Sequence, residues 1–193
     1  MKEILTVFSY LRAFPAILAF VMSPSKDCIK QDIDNNLLTV YGGGEKSYIY
    51  KFVYLMTWKK VFRNIFYYRI GRQNKLVSHM LGLFMPKLES CEISGEIGAG
   101  LAIWHGYNTI ISCEKIGNNF SVWQGVTIGN NPKGELKVAK PIIGNNCSVY
   151  TNAIVAGKVV IGDNCRIGAG CVCMQSLKKD SLLVGSKSRV IEK

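Results

Sequence analysis

The chain has 193 residues, 48% of them hydrophobic, which is enough apolar mass for one substantial core or two unequal ones and excludes extended disorder. Lysine and arginine outnumber aspartate and glutamate by 24 to 13, a formal charge of +11 that raises anion binding as a theme. The cations are scattered without a nucleic-acid-reading motif, so nucleic acid is set aside.

Residues 1–22, MKEILTVFSYLRAFPAILAFVM, have the apolar content of a signal sequence or anchor, but Arg12 and Pro15 interrupt the run and no small-x-small cleavage site follows. An amphipathic helix packed on the protein is expected, with interfacial membrane contact as the alternative. The stretch SPSKDCIKQDIDNNLLTVYGGG holds breakers and a glycine triplet and reads as a connector with room for a short helix. Residues 51–85 carry apolar residues at helical spacing, with Gly71 as an interruption, so 1–88 forms a helical N-terminal region.

Composition changes near residue 88, and from residue 97 the chain repeats itself every six residues: Ile97, Ile103, Ile110, Ile116, Val122 and Ile128, then Ile143, Val149, Val155, Ile161 and Ile167. A β-branched residue every six, followed by glycine or another turn-tolerant residue, suits short strands joined by tight corners. Three hexapeptides make one triangular coil of a parallel β-helix, so 89–193 is a mainly β domain. By count, one extra residue falls between Ile103 and Ile116, and a loop near 130–141 is pushed out of the coil. Loops extruded from rigid scaffolds are where sites tend to be built. Cys147, Cys165 and Cys171 fall at core or corner positions. Seven cysteines without a CxxC pair read as reduced thiols of a cytoplasmic protein, and two histidines without metal-ligand spacing argue against a metal.

The runs CEISGEIGAGLAIWHGYNTIIS, IGNNFSVWQGVTIG, PIIGNNCSVYTNAIVAGKVVIGDNCRIGAGCV and LVGSKSRVI, spread over residues 91–191, resemble the hexapeptide acyltransferases, and within them the serine acetyltransferase-like and exopolysaccharide O-acetyltransferase branch. The resemblance implies a left-handed parallel β-helix, a homotrimer with active sites between subunits, and acetyl-CoA as co-substrate with its pantetheine arm along the coil edges. His105 stands at the motif's catalytic histidine, and Glu92 is the nearest match to the carboxylate that orients it. Gly129, Asn130, Thr151 and Ala169 align with residues lining the pantetheine arm, and Lys187 and Arg189 are the candidates for the nucleotide phosphates.

Acetyl transfer to a hydroxyl needs a base, because an alcohol is a poor nucleophile until its proton is removed. Histidine suits that task at neutral pH and can return the proton to the departing thiolate. Trp104-His105 stands where serine enzymes have Asp-His, and Ala139-Lys140-Pro141 where they have Arg-His-Pro. Both changes remove grips for an amino acid. Trp104, Tyr107 and Trp123 offer instead apolar faces for a sugar ring, with Lys140 beside them. The reading is therefore O-acetylation of a sugar hydroxyl of a bacterial surface polysaccharide or its precursor. Serine O-acetylation and a non-catalytic trimeric scaffold are the alternatives.

Overall fold

The computed structural model describes residues 2–37, 46–131 and 139–185. Among these, five helices precede a parallel β-solenoid of about five turns. The helices are α1 (Lys2–Met22), α2 (Lys26–Leu37), α3 (Tyr48–Trp58), α4 (Lys60–Gly71) and α5 (Lys75–Phe84). Pro15 is accommodated inside α1. Asn74 caps α5 by accepting a bond from the Val77 N–H, which marks the break after Gly71. The connector contains the short helix it has room for, α2. α2 is a three-turn helix whose polar residues have backbone partners in the solenoid, so what reads locally as loop composition is tertiary demand.

The solenoid has three faces. One is built from β1 (Cys91–Ile97), β3 (Thr109–Ile116), β5 (Thr127–Gly129), β8 (Ile154–Ala156) and β11 (Val172–Cys173). The far ends of β1 and β3 turn a corner and continue, with β6 (Ile142–Ile143) and β9 (Val160–Ile161), as the second face. The third is β2 (Ala102–Trp104), β4 (Ser121–Trp123), β7 (Ser148–Val149), β10 (Arg166–Ile167) and β12 (Leu182–Leu183). All these pairings are parallel, and each face contributes one interior column of aliphatics. Ile103, Val122, Val149 and Ile167 stack on the third face. Ile97, Ile116, Ile143 and Ile161 stack on the second, and all eight are buried. Each such side chain is worth about 1.5–3 kcal/mol when removed from water.

One corner carries a second regularity. Asn119, Asn146, Asn164 and Asp180 follow the IG pair or its equivalent in successive turns, and all have φ between 55 and 61°. Their short polar side chains tolerate the left-handed region and bond to one another: Asn119 donates to Asn146 (3.1 Å), Asn146 to Asn164 (3.1 Å) and Asn164 to Asp180 (2.8 Å).

The helices close the N-terminal end of this stack and share its hydrophobic core. β1 and β2 are its terminal strands, and an open strand edge presents unpaired backbone groups. α2 and α4 satisfy them with side chains. Asn36 donates to Leu101 O (2.8 Å) and accepts from Ile103 N, while Asn35 donates to Gly100 O. Asn64 donates to Cys91 O (2.7 Å), and Tyr68 to Gly95 O (2.8 Å). At the centre, Arg69 pairs with Asp32 through two bonds (2.8 and 3.0 Å) and also donates to Ile97 O and Gly98 O, and Asp32 accepts from Leu101 N. Both side chains are buried, Asp32 at 0% and Arg69 at 4% exposure. Burial pushes the Asp32 carboxyl up, and the guanidinium pulls it back.

Candidate active site

The third face ends in an aromatic column. Trp104 and Trp123 are paired residues of β2 and β4, with ring centroids 6.1 Å apart, and Trp123 lies 4.5 Å from Tyr150, the residue after β7. Two expected substrate residues are thus brought together. Tyr150 was missed, although a signal existed: it follows Val149 as Trp104 follows Ile103 and Trp123 follows Val122.

Beyond this column the first turn widens. Trp104 to Ile110 takes six residues where the paired Trp123 to Thr127 takes four. The excess counted from sequence is therefore resolved into a two-residue excursion at this corner, partly offset further along β3. His105 occupies the excursion, exposed, with φ +64°, and Gly106 follows with φ +73°. A β-carbon in the left-handed region costs roughly 1–2 kcal/mol, and such strain persists only where surrounding structure holds it. The support is visible: a Cβ on Gly106 would collide with the Val61 side chain of α4, so the corner rests directly on the helical cap. Thr109, fully buried, donates from its hydroxyl to Tyr107 O (3.2 Å) and fixes the far side.

The corner column continues down the stack. Gly125 N donates to Tyr107 O, Asn152 N to Gln124 O and Gly170 N to Thr151 O, which sets Tyr107, Gln124, Thr151 and Ala169 in register. Thr151 and Ala169, both expected along the pantetheine arm, therefore lie on the same edge as the His105 corner. Gln124 was not anticipated; its Oε1 is buried there without a protein partner. Tyr107 is exposed at the top of the edge.

Glu92 lies on β1 opposite Ile110, exposed, and heads an outward column that continues through Thr127, Ile154 and Val172. Among the described residues no hydrogen bond or ion pair joins it to His105. Gly129 closes β5 opposite Ala156, and its carbonyl accepts from Gly157 N. Asn130 Oδ1 accepts from Ala139 N and Asn131 N donates to Ala139 O, so the base of the extruded loop is pinned. A cavity of about 190 Å³ opens at that base, lined by Asn131, Ala139, Ala156, Lys158 and Met174. Lys140 stands half-buried beside it. Residues 132–138, Lys187 and Arg189 lie outside the described residues. Among the described residues no group of histidine, cysteine and acidic side chains is arranged to hold a metal ion.

Residues 140–174 match the bacterial transferase hexapeptide (six repeats) family model. The chain is 37% identical over 99 residues to a serine acetyltransferase of Helicobacter pylori, covering 51% of this chain and 57% of that protein. It is also 37% identical over 100 residues to a putative colanic acid biosynthesis acetyltransferase, WcaB, of Escherichia coli, covering 51% and 60%. The matches therefore span somewhat more than half the length of these relatives. Among solved structures, soybean serine acetyltransferase complexed with serine superposes with a TM-score of 0.69 at 21% identity, over 90% of this chain and 72% of that one. Serine acetyltransferase isoform 3 of Entamoeba histolytica, in complex with cysteine, gives 0.66 at 20% identity over 100% and 71%. At these identities the structures establish a shared fold that includes the helical half.

Proposed function

We propose that this hexapeptide-repeat chain, similar over half its length to serine and colanic acid acetyltransferases, transfers acetyl from acetyl-CoA to a sugar hydroxyl of a surface polysaccharide or its precursor. The observation that carries the reading is His105: an exposed imidazole held in left-handed backbone at a widened corner, next to an aromatic column and on the edge that carries Thr151 and Ala169.

In this mechanism the acceptor hydroxyl donates its proton to the His105 imidazole as its oxygen attacks the thioester carbonyl. The tetrahedral adduct collapses, the C–S bond breaks, and the CoA thiolate takes the proton back from the imidazolium. Trp104, Trp123 and Tyr107 stack against the C–H face of the sugar. Thr151 and Ala169 leave the corner edge low enough for the pantetheine arm, with Gly129 and Asn130 at the loop mouth; Lys187 and Arg189 are the candidates for the nucleotide phosphates, and Lys140 is assigned to the acceptor. Glu92 is proposed to orient the imidazole. The exposed apolar column of Ile110, Ile154 and Val172 supports a homotrimer in which a neighbouring copy completes the site. Seven free cysteines fit a reducing, cytoplasmic setting.

Serine is the second reading, favoured by the names of the relatives. Against it stand Trp104 in place of an acidic residue and Ala139-Lys140 in place of Arg-His. Purified protein is offered acetyl-CoA with serine or with surface-glycan fragments, alongside His105→Ala. Glycan-dependent CoA release, reduced about 10²–10⁴-fold in the variant, is expected. Turnover with serine alone overturns the substrate, and full activity of His105→Ala overturns the base. Acetyl-CoA binding without turnover on either acceptor would favour a scaffold.

A further inference from the structure

The helical cap leaves a large apolar surface uncovered. On α1, Phe8, Leu11, Phe14, Leu18 and Met22 fall at helical spacing along one side, with Phe8 68% and Leu11 70% exposed. The opposite side of the same helix, Ala13, Ala16 and Phe20, is buried on the protein. α5 repeats the pattern: Leu76, Met80, Leu83 and Phe84 are exposed, whereas Leu81 is buried. The two helices run side by side in opposite directions, because Arg12 donates to Phe84 O near one end and Ser23 bonds Gln73 near the other. Their uncovered sides therefore form one strip, roughly 20 Å long at 1.5 Å per helical residue.

The rim of this strip is cationic. Residues 46–88 contain nine lysines and arginines and no aspartate or glutamate. Arg63 and Arg69 are turned inward, and Lys51 pairs with Asp34. Lys59, Lys60, Lys75 and Lys87 are exposed. Lys75, Lys87 and His79 line a groove of about 440 Å³ along α5 together with Leu83, with Glu89 as its one acidic member. At the other edge Trp58, 63% exposed and next in sequence to Lys59 and Lys60, shares a cleft with Ser9 and Tyr10 of α1.

We propose that the α1–α5 strip docks flat on an anionic lipid bilayer, burying its leucines and phenylalanines at the headgroup boundary while the rim lysines meet lipid phosphates. Amphipathic helices with aromatic and aliphatic residues on one side and cations at the edges partition in this way. None of the described helices is long and apolar enough to cross a membrane, so the strip lies on the surface. A second copy of the chain is a poorer occupant. A two-fold contact sets the same patch against itself, and this patch brings cations to both sides with few acidic partners. This inference stands apart from the acetyl-transfer reading, since its test needs no turnover.

The test is flotation of the full chain with vesicles of phosphatidylcholine alone or with a third of phosphatidylglycerol. Binding to the anionic vesicles at least about tenfold tighter than to the neutral ones, and weakened by salt, is expected. Leu11→Glu/Leu83→Glu and, independently, Lys59→Glu/Lys60→Glu should each lower that binding at least about tenfold. Circular dichroism checks that each variant is folded, and the lysine pair, being at exposed positions, decides the matter if the glutamates disturb the helices. Equal binding to both vesicle types, or folded variants that bind as the wild type does, overturns the proposal. So does a Leu11→Glu/Leu83→Glu variant that loses only mass by light scattering, which would give the strip to a second copy.

Discussion

Arg69→Met removes the cation at the centre of the helix–solenoid junction without removing its bulk. Four hydrogen bonds go with it, two to Asp32 and one each to the carbonyls of Ile97 and Gly98. Asp32, fully buried, is left with the backbone N–H groups of Gly100 and Leu101. Breaking a buried pair from one side costs about 3–5 kcal/mol, because the remaining charge has no compensation. At about 2–4 °C per kcal/mol for a chain of this size, the melting temperature should fall by roughly 6–20 °C. The pH dependence has a definite sign. Burial already pushes the Asp32 carboxyl up, and without Arg69 nothing cationic opposes it. A raised carboxyl contributes stability that is complete below its unfolded value and is lost as pH rises through the folded one, so the deficit should be larger at pH 7 than near pH 4.5. Asp32→Asn in the same background should recover part of the loss and abolish this dependence, and urea unfolding of the four-member cycle measures the coupling. A deficit below about 1 kcal/mol for Arg69→Met, or one that grows toward acid, would refute the reasoning.

Asn146 tests the corner ladder: Asn146→Gly keeps the left-handed backbone and loses two side-chain bonds, for about 1 kcal/mol, whereas Asn146→Ala loses both and should cost about 1 kcal/mol more by urea midpoint. Burial pushes the thiols of Cys91, Cys113 and Cys147 up to about 11, so at pH 8 they stay protonated, and mass spectrometry should find them unmodified by iodoacetamide in the native protein and labelled in urea. Glu92→Gln should lower kcat about 10–100-fold with little change in KM for acetyl-CoA if the carboxylate orients His105; unchanged kcat removes it from the site.

The interior of the solenoid was legible because a β-helix writes its period directly into the chain, except at Ile110, which the excursion at His105 turns outward while Ile111 takes the interior place. Ile97, Ile116, Ile143 and Ile161 are recognisable one by one, and their parallel stacking follows. Handedness was not legible from that period and came only with the family resemblance. The helical cap was half visible. Apolar spacing marked α3 to α5, yet α2 looked like connector, since Asp32, Asn35 and Asn36 are poor helix formers whose partners in the solenoid lie more than sixty residues away. At the candidate site the sequence supplied residue types and the pairing supplied neighbours. Trp104 and Trp123 lie nineteen positions apart, a separation that becomes contact only once the register of β2 and β4 is known. Tyr150 and Gln124 were overlooked for the same reason: both lie inside the matching runs, but each acquires its meaning only from the turn above.

A solenoid has no intrinsic length, and the way this one begins makes its two ends unequal. At the start, the backbone of the first turn is spoken for by Asp32, Asn35, Asn36, Asn64, Tyr68 and Arg69, each matched to a particular strand group. Adding or deleting a whole turn there would leave six side chains facing the wrong atoms. Among the described residues, the turns nearer β12 pair with the turn before them and with no helix, so the helical cap acts as the fixed origin from which every later rung is counted.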